Sequence, residues 1–210
     1  MTYFVKIVNS VLHPKFTRSP SMQSEAVKLV IVGDVGVGKS SLKHSYECNA
    51  FPGEYLPVTS GNYTCNVLID GLPFCVDIWD TAGQENVDKL RRLSYFKTDA
   101  FLVCYSIENR HSLNNIDSKW VPELRQHCPG VPIVLVACKI DLRTTLHGNH
   151  LINAMEGKAL AKKLDMLFFE TSSLQLKGLH ECVNAAIRRA KGMPDRKHGR
   201  CTVVSRCCVM

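Results

Sequence analysis

Apolar residues fall along this chain in two rhythms. Near-continuous apolar runs cover residues 27–34, 100–107 and 131–137, the pattern of strands buried on both faces. Residues 62–69 and 74–80 also read as strands, joined across Asp70-Gly71, a hairpin signal. Helical spacing covers 40–49, 112–127, 151–164 and 179–190, and a short strand fits 166–170. Strands alternating with helices predict an α/β fold. The expected form is a mostly parallel six-stranded sheet with one antiparallel hairpin and helices on both faces. No internal repeat interrupts the pattern. Ligands of such sheets bind beyond the carboxyl ends of the strands, so the polar residues at those ends are the candidate chemistry.

Four strand ends carry such residues. Gly33-Asp34-Val35-Gly36-Val37-Gly38-Lys39-Ser40 fits G-x-x-x-x-G-K-[ST] between a strand and a helix, with Ser41 following. Glycines let backbone N–H groups approach phosphate oxygens, and the helix N-terminus adds partial positive charge. Lys39 would reach the outer phosphates, and the Ser40 hydroxyl would bind Mg²⁺. Asp80-Thr81-Ala82-Gly83-Gln84 closes the next strand. Asp80 can hold Mg²⁺ through a water, Gly83 can offer its N–H to a terminal phosphate, and Gln84 can orient an attacking water as the catalytic residue. Cys138-Lys139-Ile140-Asp141 ends a third strand. The Asp141 carboxylate can accept from the N1 and N2 groups of guanine, a donor pair adenine lacks, while the Lys139 stem covers the ring. Glu170-Thr171-Ser172-Ser173 ends the last strand and could present backbone N–H groups to the base oxygen. Each motif alone is weak. Four in order at four strand ends are specific, and Asp141 disfavours an ATPase.

Further residues extend the pattern: Asn49-Ala50-Phe51-Pro52-Gly53-Glu54-Tyr55, Trp79 through Glu85, Leu93-Ser94-Tyr95, Thr98-Asp99, Lys119-Trp120-Val121-Pro122, His127-Cys128-Pro129 and Asp141-Leu142-Arg143. Over about residues 27–210 the chain resembles the Ras superfamily of small GTPases, and within it the Rho family. The resemblance implies a P-loop small G-protein domain that binds GTP and GDP with Mg²⁺, hydrolyses GTP to GDP and phosphate, and packs Phe51 beside the guanine. It also implies exchange factors, activating proteins, a dissociation inhibitor and effectors as partners of a monomer acting on actin or vesicle traffic.

The chain departs from that family at several positions. Val35 stands where Ras and most Rho proteins carry glycine beside the γ-phosphate. A branched side chain there would crowd Gln84 and any incoming arginine finger, a group worth about 10³–10⁵ in rate. Slow hydrolysis and resistance to activating proteins are therefore expected, against the alternative of benign drift toward a Rab-like loop. Val58 fills the slot of the switch threonine, and Thr59 comes one residue later. Val58 has no side-chain oxygen for Mg²⁺. Either the loop shifts and Thr59 substitutes as a ligand, or GTP orders the loop poorly. Ser60-Gly61 replace the bulky-acidic pair used for effectors, and Cys138 replaces an asparagine or threonine of the base motif. The stretch between Arg143 and Gly157 is shorter than the full Rho insert.

Composition and charge place this domain. The chain has 210 residues, 45% hydrophobic and 21% charged, too apolar for disorder and with no apolar run of membrane-spanning length. The apolar patch 4–12 contains Lys6 and Asn9, a poor signal peptide. The net charge is +7, of which +6 lies between Arg188 and Arg206 and +2 in residues 1–26. A nearly neutral body with a basic tail argues against nucleic acid and for an anionic membrane. The expected organisation is an extension over 1–26, a nucleotide-binding domain over 27–191 and a tail over 192–210. Ten cysteines, several in strand-like runs and none in CxxC spacing, read as reduced cytosolic thiols. The chain ends Cys207-Cys208-Val209-Met210, a C-a-a-X signal for prenylation of Cys207, with farnesyl favoured. One lipid anchors marginally; the basic tail and palmitoylation of Cys201 are candidate second signals. Double geranylgeranylation of Cys207 and Cys208 is the rival reading. The expected location is the cytoplasmic face of the plasma membrane or endomembranes, with a cytosolic pool.

Overall fold

A computed structural model describes residues 24–53, 63–81, 88–145 and 150–194. Six strands form one sheet: β1 (Glu25–Gly33), β2 (Tyr63–Ile69), β3 (Leu72–Asp80), β4 (Ala100–Ser106), β5 (Ile133–Cys138) and β6 (Leu167–Glu170). Their spatial order is β2-β3-β1-β4-β5-β6. Among the described strands, only β2 and β3 pair antiparallel, turning at Asp70 and Gly71 as the hairpin signal predicts. The parallel pairings β1·β3, β1·β4, β4·β5 and β5·β6 complete the sheet. The runs read as doubly buried strands sit at its centre, and every residue of β4 is buried.

Alternation along the central strands divides the core in two. Leu29, Ile31, Leu102, Cys104, Val134 and Val136 face helices α1 (Lys39–Cys48) and α7 (Leu179–Ala190). Val30, Val32, Phe101, Val103, Tyr105 and Leu135 face the opposite layer. That layer holds α3 (Arg110–Asn115), α4 (Val121–His127) and α6 (Ala154–Lys163). Each helix thus buries one stripe, and successive strand residues serve opposite layers. Cys104, Cys138 and Cys182 are buried thiols outside any disulfide. Burial pushes the Cys182 thiol up, and a hydrogen bond between Cys104 and Cys138, together with burial, pushes the Cys104 thiol up. Both act as small protonated hydrophobes.

Three local features differ from the sequence pattern. The helix expected over 151–164 begins at Ala154 because Asn153 caps it in a reciprocal box with Glu156. The helix expected over 112–127 starts at Arg110 and is interrupted by a π-helical turn, Ile116–Trp120. Pro122 has no N–H and its ring opposes the carbonyl four residues back. The turn widens just before it, and Val121 N–H donates to Ile116 O, five residues back. Two short helices carry too few residues to show a period: α2 (Asp88–Leu93) and α5 (Leu142–Thr145). Among the described residues, no helix is long and apolar enough to cross a membrane.

Candidate functional site

The four motifs converge on one edge of the sheet because each follows the carboxyl end of a strand. Gly33 ends β1 with φ +142, and a Cβ there would lie 2.3 Å from the backbone oxygen of Cys104 on β4. Only glycine lets β1 and β4 pair this closely as the chain turns away. The loop then passes Gly36 and enters α1 through Gly38, whose left-handed φ of +110 caps the helix without a side chain. Val37 is buried in the core and anchors the loop from below, whereas Val35 is 55% exposed.

Lys39 folds back over this loop. Its Nζ donates to Gly33 O at 2.8 Å and Asp34 O at 2.6 Å. It is 6% exposed, and burial lowers its pKa from the usual lysine range, with Asp80 and Asp34 partly offsetting. An ammonium held under backbone carbonyls at a helix N-terminus is a pre-set phosphate ligand. Ser40 Oγ donates to Asp80 Oδ2 at 2.5 Å, joining α1 to the end of β3. Burial pushes the Asp80 carboxyl up, against the Ser40 hydrogen bond and the charges of Lys39 and Lys43. Its second oxygen, Oδ1, is buried and has no hydrogen-bond partner among the described residues. A hydroxyl beside a buried carboxylate with an orphaned oxygen fits a hard, oxygen-seeking cation. Ser40 and Asp80 are therefore the residues that would hold Mg²⁺, whose charge would favour the ionised carboxylate.

The base end is assembled from two strands. Asp141 follows β5, and its Oδ1 accepts from Ser172 Oγ, just beyond β6, at 2.5 Å. Ser172 is fully buried. Its hydroxyl also accepts from Gln175 N–H at 3.0 Å, while its own N–H donates to Lys177 O at 3.0 Å. The Ser172 backbone is thus used in the local turn, and its contribution to the site is to orient Asp141. Ser173 follows, half-buried. Lys139 adopts a left-handed φ of +64, and its Nζ reaches Glu108 Oε1 at 2.6 Å. Phe51 lies 44% exposed after α1. Cys138 meets the phosphate loop: a Cβ at Gly38 would lie 3.5 Å from Cys138 Cβ. Packing, rather than the hydrogen bonds of an amide, joins the two ends here.

Asp34 departs from the simple picture of a phosphate loop. Its carboxylate turns away from the loop, accepting from Trp120 Nε1 and Asn115 Nδ2, each at 2.7 Å. Only its backbone remains to face phosphate. Ser172's hydroxyl, Glu108, Asn115 and Trp120 escape motif reading because they act on site residues 31 to 86 positions away. Ser41 is half-buried on α1 behind Ser40. Thr59, Gly83, Gln84, Cys201 and Cys207 lie outside the described residues. An open groove of about 490 Å³ lies elsewhere, between α3 and α6, lined by Leu113, Leu160 and the Arg110–Glu156 ion pair. None of the expected site residues lines it.

The glycine-rich loop with its buried Lys39, the Ser40–Asp80 pair and the Ser172–Asp141 pair all lie at or beyond strand ends of an α/β sheet, where such folds take their ligands. The chain matches the family model described as Ras family over residues 28–192, and it belongs to that family. It is accordingly a small GTP-binding protein with a guanine-nucleotide site and GTPase activity, of a class that binds effectors and regulators.

Proposed function

We propose that this protein is a Rho-like, membrane-anchored GTP/GDP switch in signal transduction, acting on the cytoskeleton or vesicle traffic, with slow GTP hydrolysis. The Rho assignment is supported by the residues around Trp120, Pro122 and Cys128 that resemble that family. The slow-turnover reading rests on one observation above all: the Val35 side chain projects 55% exposed from the phosphate loop. A branched side chain there occupies space that an ordered water, Gln84 and an arginine finger need. Mg²⁺ held by Ser40 and Asp80, with Thr59 as a further candidate, would neutralise phosphate charge during hydrolysis. Lys39 and the loop's N–H groups hold the phosphates; Asp141, oriented by Ser172, reads the base.

Single-turnover hydrolysis of wild type against Val35→Gly tests this reading. A faster Val35→Gly rate is expected, and equal rates contradict it. Exchange factors, effectors, activating proteins and a dissociation inhibitor are the proposed partners of a monomeric switch. The basic tail and prenylated Cys207, with Cys201 as a palmitoylation site, would hold it on the cytoplasmic face of an anionic membrane, with a cytosolic pool. Mass spectrometry of the mature C-terminus tests the anchor: a mature chain still containing Cys208 contradicts simple C-a-a-X processing.

Val35 also favours a second reading, a near-constitutively GTP-bound module controlled by abundance and lipidation. Nucleotide extracted from protein purified from cells separates the two. Mostly GDP supports the cycling switch; mostly GTP supports the module.

A further inference from the structure

We infer that the Asp34 carboxylate is a positioning group that couples the phosphate loop to α2 through Trp120 and Arg91. This inference rests on the reading of the site as a GTP/GDP switch.

The connection is continuous in space. Asp34 Oδ1 accepts from Trp120 Nε1–H and Oδ2 from Asn115 Nδ2–H, each at 2.7 Å, with His111 Nδ1 3.8 Å from Oδ2. Both acceptor atoms are thus used by the α3 and π-turn segment rather than by the loop. Trp120 is fully buried at the end of that π turn. The extra residue of the turn delivers its indole to Asp34, the kind of role π turns recurrently serve. The face of the indole meets Arg91 of α2, whose guanidinium carbon lies over the ring 4.7 Å from its centroid.

Arg91 is itself locked. Its side chain is 0% exposed. It pairs with Asp88 at 2.7 Å and with Glu123 of α4 at 3.0 Å, and its Nε donates to Tyr95 Oη at 3.2 Å. Tyr95 Oη in turn donates to Glu123 at 2.7 Å. The guanidinium is thus fixed on three sides while it covers the ring. A displacement of Asp34 would then reach α2 through the Trp120 indole. The chemistry of Asp34 suits this role. A carboxylate accepts both donors, whereas an amide in its place accepts one and opposes the other with its own NH₂.

Contiguity alone does not establish coupling; a double-mutant cycle does. The full chain is used as wild type, Asp34→Asn, Arg91→Lys and the double variant. The ratio of the dissociation constants for GDP and a non-hydrolysable GTP analogue is measured for each. Each single substitution is expected to change that ratio about fivefold or more. The double is expected to change it no more than the larger single, because both cut one connection. Unchanged ratios in the singles, or effects that multiply in the double, overturn the relay.

A second arm leaves Arg91 intact, so a folding defect at Arg91 does not decide the matter. The chain has two tryptophans, so Trp79→Phe leaves Trp120 as the sole indole. Exchanging GDP for the analogue should shift its emission, and Asp34→Asn should abolish the shift. Emission indifferent to the exchange overturns the relay while leaving the switch reading intact. Failure of wild type to bind either nucleotide overturns both.

Discussion

The two ends of the site are built in different ways. The phosphate end is one contiguous stretch, Gly33 to Ser41, whose geometry comes from glycine positions and the start of α1. Asp80, at the end of β3, joins it through Ser40. The base end is a joint between two strand ends, where Asp141 and Ser172 meet across 31 residues of sequence. Local backbone geometry makes the first; tertiary packing makes the second. Damage to the first should therefore cost folding or most of the nucleotide affinity, and damage to the second should cost less affinity and act on the base.

The largest expected effect is Gly33→Ala. Its Cβ would meet a backbone oxygen at 2.3 Å at a φ few side chains adopt. Urea unfolding should show a loss of more than about 3 kcal/mol. Next is Lys39→Ala, which removes the buried ammonium held by the loop carbonyls of Gly33 and Asp34. Nucleotide affinity should fall about a hundredfold or more with folding retained, as read by titration with fluorescent GDP. At the base end, Ser172→Ala leaves Asp141 in place without its 2.5 Å partner. GDP should be released about tenfold faster, with phosphate contacts unaffected, since a hydrogen bond to a charged group contributes about 1.5–3 kcal/mol. A fall comparable to that of Lys39→Ala would break the contrast between the ends.

Cys138→Asn sharpens the contrast from the other side. Cys138 touches the loop only by packing against Gly38. An amide there can add a hydrogen bond between the two ends, slowing GDP release about fivefold. The smallest effect concerns neither end. Burial pushes the Glu123 carboxyl up, but hydrogen bonds from Tyr95 and Arg91 outweigh it and hold the pKa below the usual 4.5. Its stabilising contribution is complete above that value and is lost as pH falls through the lower folded value. The Tm of wild type should fall more steeply below pH 4.5 than that of Glu123→Gln.

The same contrast governs what the sequence reveals. The phosphate loop is legible because its constraint is local: glycine spacing, a strand before, a helix after. The central strands are legible because burial on both faces leaves unbroken apolar runs at β1, β4 and β5. Asp141 is legible as a candidate, but its orientation by Ser172 is not, since no spacing rule links them. The reversal of Asp34 is likewise invisible. Its partner Asn115 ends α3, and Trp120 reaches it from the end of the π turn before Pro122. Helices α2 and α5 escape because six and four residues are too short to show a period.

The central claim is that this site selects guanine nucleotides through Asp141 while Lys39 and its loop hold the phosphates. The most direct test is competition: protein loaded with fluorescent GDP in Mg²⁺ is challenged with excess GTP or ATP, in wild type and in Asp141→Ala. The account predicts that GTP displaces the probe from wild type and ATP does not, and that Asp141→Ala loses most of that discrimination. Equal displacement of the probe from wild type by ATP and GTP would contradict it.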